Sequence, residues 1–186
     1  YQCFWRLARS ISYIDDYMEA ERDTKLKLYE KGRAYAEQAV AIRPDGSEGY
    51  YWSGVVLGKA AELRGVLESL FAVGPIEKNM KKVIELSPDW ARSYFVLARL
   101  YRKAPPYISV GNINKAYTMI QKARALDSKD SFIELEYATI LIAKKKKKEA
   151  EQVLLSLIEL TPNASEFMPS VEQNKQEAAA LLETLR

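Results

Sequence analysis

Apolar residues recur along the chain at helical spacing, and the segments that carry them come in pairs. The clearest pair lies in residues 131–164, where apolar residues share one face of each predicted helix. The two stripes are Tyr137, Ala138 and Leu141 on the first helix, and Ala150, Leu154 and Leu157 on the second. No segment alternates apolar and polar residues as a half-buried strand would. The pattern therefore predicts an all-α protein.

Each pair of predicted helices ends in a similar phrase. It reads Val-Ile-Glu-Leu-Ser-Pro-Asp at 83–89 and Leu-Ile-Glu-Leu-Thr-Pro-Asn at 157–163, and a related phrase with proline stands at 39–45. The remaining phrase, at 123–129, has Ser128 where the others have proline. Equivalent points in the four phrases are Ile42, Leu86, Leu126 and Leu160, at intervals of 44, 40 and 34 residues. Such recurrence indicates a stacked repeat protein, in which no repeat can bury its apolar face alone.

These residues, and the 34-residue last interval, resemble the tetratricopeptide repeat (TPR) family over almost the whole chain. Small residues such as Gly54, Ala98 and Ala138 are expected where the two helices of a repeat approach closely. The resemblance implies a right-handed superhelical solenoid of about four TPR-like helix-turn-helix units with a C-terminal capping helix. We expect a single domain over residues 1–186. Its repeats are predicted at about 1–46, 47–90, 91–130 and 131–164, and the capping helix at about 170–186.

The first three repeats are longer than the last, and their extra residues are expected between the first and second helix of each repeat. The three expected insertions are residues 15–23, 65–75 and 104–114. They hold turn-forming residues, among them Gly65, the Gly74-Pro75 pair and Gly111. Insertions on one edge of a solenoid often build a binding face or the lip of a pocket. The alternative is that they lengthen helices and pad the edge, and the sequence leaves both open.

Part of the chain resembles two more specific families. Residues 50–54 read Tyr-Tyr-Trp-Ser-Gly, residues 57–65 read Leu-Gly-Lys-Ala-Ala-Glu-Leu-Arg-Gly, and a Pro-Pro pair precedes Gly111. Over about residues 48–126 this is similar to the T component of bacterial tripartite ATP-independent periplasmic (TRAP) transporters and to the regulators of microtubule dynamics. The T-component resemblance implies a periplasmic or envelope-associated scaffold, a homo-oligomer, that docks a solute-binding protein. A cytoplasmic location is the alternative.

Composition argues against an enzyme. The 186 residues include no histidine, which removes the usual general base and the commonest metal ligand. Cys3 therefore has no histidine to activate it, and we expect it to be a small buried hydrophobe. Asp127 and Asp130 stand at a predicted turn, where aspartates serve as helix caps and turn formers. We expect no catalytic residue, metal site or cofactor, and no apolar run approaches the ~20 residues of a membrane span.

A partner-binding groove can be predicted from the positions that the repeats leave unburied. In such repeats the first helix lines the concave face, and residues one turn from the packing positions point into it. These residues are Trp5, Arg9, Tyr13, Tyr51, Val55, Lys59, Arg92, Phe95, Arg99, Arg102, Phe132 and Leu135. Their aromatic rings and cationic middle suit a protein partner with an acidic group. The arginines could instead pair with glutamates such as Glu62 or Glu134.

Five consecutive lysines, Lys144 to Lys148, form the strongest charge feature. Lysines can grip phosphates, but a formal net charge of only +3 gives no wide basic surface for nucleic acid. We therefore expect a solvated turn and no nucleic-acid partner. The function predicted is a non-catalytic TPR scaffold that docks a protein, for which the T-component resemblance suggests a TRAP solute-binding protein. The alternative is a small-ligand carrier that holds an acidic or apolar molecule in a pocket closed by the insertions.

Overall fold

The computed structural model describes residues 1–14, 19–163 and 166–185. All regular secondary structure in these residues is helical, which confirms the all-α prediction. The helices are α1 (Gln2–Ser12), α2 (Arg22–Ile42), α3 (Ser47–Arg64), α4 (Val66–Leu86), α5 (Ala91–Lys103), α6 (Ile113–Leu126), α7 (Ser131–Ala143), α8 (Lys147–Ile158) and α9 (Met168–Leu185).

The helices belong to two compact units, Tyr1–Ser93 and Tyr94–Arg186, here called the N-terminal and the C-terminal unit. The N-terminal unit holds α1 to α4, and the C-terminal unit holds α6 to α9 and nearly all of α5. Among the described helices, α1 packs against α2, α3 against α4, and α7 against α8, as helix-turn-helix repeats require. The single domain over 1–186, and its division into four repeats, stay predictions.

In the N-terminal unit, α2 packs against α1 and α3, and α3 also packs against α1 and α4. Its core includes Tyr29, Val56 and Ala60, all buried, with Ile11, Ile14, Leu26 and Leu63 packed around them. Gly54 lies where α3 and α4 approach, because a Cβ atom there would come within 2.5 Å of the Met80 Cε. The sequence predicted this close approach from the small residue alone.

The second expected insertion does not form a loop between the two helices of its repeat. The turn between α3 and α4 is Gly65 alone, whose φ of 112° favours glycine, and α4 begins at the next residue. Pro75 therefore lies inside α4 rather than in a loop. It lacks the N–H that would bond to the carbonyl of Phe71, and both residues are exposed, so water can satisfy that carbonyl. Residues 65–75 thus lengthen a helix, which is one of the two alternatives left open by the sequence.

The other two expected insertions differ from each other. Residues 104–112 form the connection between α5 and α6, so the third insertion lies between helices as predicted. The Asn112 side chain ends this connection as a cap, because its Oδ1 accepts hydrogen bonds from the N–H groups of Asn114 and Lys115. The first insertion includes residues 15–18, which lie outside the described residues, and α2 begins at Arg22.

In the C-terminal unit, α7 packs against α6, α8 and α9, and α8 packs against α9. Asp130 caps α7 as predicted, since its Oδ1 accepts from the N–H groups of Phe132 and Ile133. Fully buried residues of this core include Ala98, Ile120, Ala138, Leu141 and Leu154. The helix expected to cap the chain is α9, and it buries Val171, Ala178 and Leu182.

A buried polar network ties the segment before α9 to the start of α7. The carboxylate of Glu166 accepts hydrogen bonds from the N–H of Ser131, at 3.2 Å, and from its hydroxyl, at 2.7 Å. The same hydroxyl accepts from Asn174 Nδ2 at 2.9 Å. All three residues are buried. Removing one of them would therefore leave a buried polar group of its partner without a hydrogen bond.

Candidate functional site

The predicted groove residues of the first repeat differ in exposure. Arg9 is exposed and Trp5 is half-buried on α1, and Tyr13 follows the end of that helix. The guanidinium of Arg6 lies 5.3 Å from the Trp5 ring centre. The Trp5 Nε1 atom is buried, and no hydrogen-bond acceptor for it was found among the described residues. The indole N–H of Trp5 is thus a buried donor whose hydrogen bond the described part of the chain does not supply.

Four aromatic rings of the N-terminal unit form a continuous chain, here called the aromatic cluster: Tyr13, Trp52, Tyr51 and Trp90. The Tyr13 and Trp52 ring centres are 6.1 Å apart, and Trp52 meets Tyr51 edge-on at 4.9 Å. Tyr51 stacks on Trp90 at 4.7 Å, with 24° between the ring planes. At the other end, Arg92 Nη1 donates to the Tyr13 hydroxyl at 3.4 Å. The cluster therefore brings residues from α1, α3 and the start of α5 together.

The inner rings of this cluster are packed rather than open. Tyr51 is 4% exposed and Trp52 is 7% exposed. The expectation that Tyr51 offers a free aromatic surface is therefore wrong, because the rings of Trp52 and Trp90 cover it. Val55 and Lys59, further along α3, are half-buried.

In the C-terminal unit the predicted groove residues are likewise engaged with one another or with the core. The rings of Phe95 and Phe132 lie 6.1 Å apart, and Arg99 is half-buried. Leu135 is 8% exposed, so it belongs to the core and cannot offer an open surface. That residues of both units line one groove stays a prediction.

Arg102 forms a bidentate ion pair with Glu136, at 2.5 Å from Nε to Oε1 and 2.9 Å from Nη2 to Oε2. The Glu136 carboxylate is buried, so it needs this partner. The sequence left open whether the groove arginines pair with glutamates instead of a ligand. For Arg102 the structure shows such a pairing, with Glu136 rather than Glu62 or Glu134.

Glu134 is a second buried carboxylate on α7, at a position where the repeat pattern expects a large apolar residue. Its Oε1 accepts from Arg124 Nε at 2.6 Å. Burial raises the pKa of Glu134, and the hydrogen bond and charge of Arg124 oppose that rise. The Arg124 guanidinium also lies 4.7 Å from the centre of the Tyr137 ring. This arrangement fastens α6 to α7.

The first three turns of α4 are apolar on both sides, and one side is uncovered. Ala72, Val73 and Ile76 face the core and are buried. The opposite side, here called the open face of α4, consists of Val66, Leu67, Leu70 and Phe71. Of these, Val66 is 76%, Leu67 is 71% and Phe71 is 77% exposed. Clusters of exposed large apolar side chains are uncommon on protein surfaces outside interaction sites, so this face fits a binding surface.

The side chain of Ser69 fixes the start of α4, from which the open face projects. The Ser69 hydroxyl bonds to the carbonyl of Gly65 at 2.9 Å and to that of Ala61 at 3.1 Å. The second of these bonds joins the first turn of α4 to the last turn of α3. The exposed apolar side chains therefore project from a fixed helix rather than from a loop.

No group of three or more Cys, Asp and Glu side chains in the described part of the chain could hold a metal ion. Cys3 is exposed, so the expectation that it is buried is wrong, because it lies on the outer side of α1. No helix in the described ranges is both long and apolar enough to cross a membrane.

Comparison with protein families adds to this geometry. The family model of regulator of microtubule dynamics proteins 1-3 matches residues 1–105, more than half of the chain. The chain belongs to this family. It is one of the two families that the sequence resembled, and the matches give no support for the T-component likeness. The matched range also starts earlier and ends earlier than the expected 48–126, so it includes α1 and α2.

Regulator of microtubule dynamics protein 3 of rat and of mouse are each 30% identical to this chain over 95 residues. The corresponding protein of Xenopus laevis is 28% identical over 95 residues. The match covers 51% of this chain and 20% of each relative. The matched half of the chain thus covers only a fifth of the length of these relatives.

A thermophilic TPR protein of Thermus thermophilus is similar in structure, with a TM-score of 0.67. The similarity covers 97% of this chain and 82% of that protein, at 18% sequence identity. It confirms the TPR fold predicted from the repeat pattern. In this family member the fold carries the aromatic cluster and the open face of α4 within the residues that the family model matches.

Sequence reasoning missed Trp52, Trp90 and the open face of α4. Trp52 adjoins the predicted Tyr51, and Trp90 stands just before α5, so the two tryptophans themselves were the available signal. The open face was missed because Gly65, Gly74 and Pro75 indicated a loop. The run Val-Leu-Glu-Ser-Leu-Phe-Ala-Val at 66–73 has apolar residues on all sides at helical spacing, and that pattern could have revealed it.

Proposed function

We propose that this chain is a non-catalytic TPR interaction module that docks a protein partner through the open face of α4. The observation that carries the proposal is the exposure of Val66, Leu67 and Phe71 on a helix whose other side is already in the core. Fully burying a side chain of this size contributes about 1.5–3 kcal/mol, so three of them can supply the anchor of an interface.

The aromatic cluster has a supporting role in this proposal. Its rings hold α1 and α3 together with the segment before α5, so the N-terminal unit presents the open face on a fixed frame. A rigid surface loses little conformational entropy when it binds, which favours affinity.

We propose further that the partner is a protein that takes part in the regulation of microtubules. Support comes from the family match over residues 1–105, which contain both the aromatic cluster and the open face of α4. The relatives are named for that process, and the matched half of this chain covers only a fifth of their length. The proposal is therefore that this segment supplies the docking step and not the whole activity.

The test compares partner capture by the wild-type chain and by a variant with Leu67→Ser and Phe71→Ser. After crosslinking in the native cells, we expect the double variant to lose the main captured protein. A control with Ile108→Ser and Leu155→Ser, which changes exposed apolar residues of the C-terminal unit, should retain it. Unchanged capture by the Leu67→Ser/Phe71→Ser variant would refute the docking role of the open face.

The same capture experiment bears on the other expectations. A solute-binding protein among the captured partners would support the T-component hypothesis, which otherwise stays a prediction from sequence. Native mass spectrometry of the purified chain tests the small-ligand carrier, since a carrier should retain a bound small mass. Microtubule proteins or their regulators among the captured partners are the result that this proposal predicts.

A further inference from the structure

Several basic side chains of the C-terminal unit lie over tyrosine rings. The contacts between cation and ring centre are Lys122 to Tyr94 at 5.9 Å, Lys115 to Tyr101 at 5.9 Å, Arg124 to Tyr137 at 4.7 Å, Lys144 to Tyr117 at 5.1 Å and Lys146 to Tyr117 at 5.5 Å. All are within the range of a cation–π attraction. The set extends over α5, α6 and the turn between α7 and α8.

Two of the lysines in the run 144–148 are held against α6 and are not free in solvent. Tyr117 stacks on Tyr137 at 6.2 Å and supports both Lys144 and Lys146, which are half-buried. Lys144 Nζ also donates to Asn114 Oδ1 at 2.6 Å. The sequence predicted a merely solvated turn. The structure instead fixes alternate lysines of the run on α6, and Lys145, Lys147 and Lys148 are exposed beside them.

Charge is concentrated in this part of the chain. Residues 99–148 contain twelve Lys and Arg against four Asp and Glu, a net charge of +8, although the whole chain has only +3. Two of the four acids, Glu134 and Glu136, are buried and paired with Arg124 and Arg102. Near the run, Glu149 accepts from Lys146. The remaining lysines therefore dominate the field outside α6 and the α7–α8 turn.

We propose that this lysine surface, made of Lys144 to Lys148 at the turn between α7 and α8, binds an acidic segment of a partner protein that is rich in glutamate or aspartate. Spaced ammonium groups suit spaced carboxylates, and the contacts with Tyr117 limit the movement of two of the five lysines, Lys144 and Lys146, before binding. The surface lies outside the residues matched by the family model and shares no residue with the open face of α4. It is independent of the proposed function.

The structure favours an acidic protein over nucleic acid or a membrane. Nucleic-acid bases stack on open aromatic faces, but Tyr117 and Tyr137 are stacked on each other and carry cations. Membrane-surface helices insert apolar side chains, and none of the large apolar residues in 111–122 or 144–148 is exposed. What this surface offers is positive charge at fixed points.

The test measures the binding of a fluorescent peptide of about twelve glutamates by anisotropy at about 50 mM salt, where exposed charges are weakly screened. We expect the triple variant K145E/K147E/K148E to bind at least about tenfold more weakly than the wild type. The control K27E/K78E/K129E changes the net charge equally at exposed lysines in the N-terminal unit and at the other end of α7. It should keep the affinity within about twofold.

A second variant tests the role of the rings without changing any charge. Tyr117→Leu keeps an apolar side chain on α6 but removes the ring under Lys144 and Lys146. We expect it to weaken binding of the glutamate peptide by about threefold, because the two lysines regain their freedom. Circular dichroism should show the helix content of the wild type in all three variants.

Several results would overturn the proposal. One is the absence of measurable binding to the glutamate peptide, and another is equal weakening by the two triple variants, which would indicate net charge alone. Tighter binding of an oligouridylate of the same charge would favour nucleic acid. Tighter binding of phosphatidylserine vesicles would favour a lipid surface. In contrast, a loss confined to K145E/K147E/K148E supports the proposal, and it does so whatever the outcome for the open face of α4.

Discussion

The ring of Tyr51 on α3 stacks on the ring of Trp90, the residue before α5, at 4.7 Å between centres and 24° between planes. This contact explains why a tyrosine at a predicted groove position is only 4% exposed. It also ties the end of the N-terminal unit back to the N-terminal part of α3, although the two residues are far apart in sequence.

The stack predicts a stability effect of Trp90. Trp90→Ala should lower the free energy of unfolding by about 2–3 kcal/mol, because it uncovers Tyr51 and removes a half-buried indole. Trp90→Phe should recover most of that loss. Urea unfolding followed by circular dichroism measures both. Tyr107→Ala, at a side chain that is 97% exposed, is the control and should change stability by less than about 0.5 kcal/mol.

Two glycines of α3 should respond in opposite directions to alanine. A Cβ at Gly54 would lie 2.5 Å from the Met80 Cε, and Met80 is fully buried, so Gly54→Ala should cost about 1–3 kcal/mol. At Gly58 a Cβ would make an ordinary contact of 3.6 Å with Ile76 Cδ1. Gly58→Ala should therefore stabilise the helix by about 0.5–1 kcal/mol. If both substitutions stabilised the protein, or both destabilised it, the described packing of α3 on α4 would be contradicted.

The raised pKa of Glu134 predicts how the free energy of unfolding depends on pH. Its pKa is raised in the folded protein, so the folded state binds its proton more tightly than the unfolded state does. The contribution of Glu134 to stability is therefore greatest below the ordinary glutamate pKa, and it is lost as the pH rises through the folded value. The free energy of unfolding of the wild type minus that of Glu134→Gln should decrease over this window. Arg124→Ala should raise the Glu134 pKa further in a carboxyl NMR titration, since Arg124 opposes the rise.

The network of Ser131, Glu166 and Asn174 predicts how α9 is held. Glu166→Ala leaves the buried N–H and hydroxyl of Ser131 without their acceptor and should cost about 2–4 kcal/mol. We expect amide hydrogen exchange of α9 to accelerate in this variant. Glu172→Ala, at an exposed residue of the same helix, should leave exchange unchanged. Equal protection of α9 in both variants would mean that apolar packing alone holds it.

The fold followed from the sequence because the repeat phrases and helical stripes are local signals that agree with one another. The connection at 104–112 was also predictable, since Pro105, Pro106 and Gly111 are true turn residues there. The segment at 65–75 was not, because glycine and proline are ambiguous. Gly65 is a turn, but Pro75 is accommodated inside α4, where the carbonyl that it leaves unbonded is at an exposed position.

The candidate sites were less predictable because they depend on which side chains meet. No sequence spacing shows that Trp90 covers Tyr51, or that Arg102 is paired with Glu136. Net charge over the whole chain also concealed the lysine surface, since acids elsewhere cancel most of it. The apolar run at 66–73 could have indicated the helix, but only the structure showed which of its apolar sides has no partner in the described part of the chain.

Photo-crosslinking from one position tests the central claim most directly. A benzophenone amino acid is placed at Phe71 of the open face and, as a control, at Tyr107, an aromatic residue that is more exposed. After irradiation in the native cells, the account predicts a discrete protein adduct from position 71 that is absent from position 107. The same adducts from both positions, or none from position 71, would contradict the claim that α4 docks a protein partner.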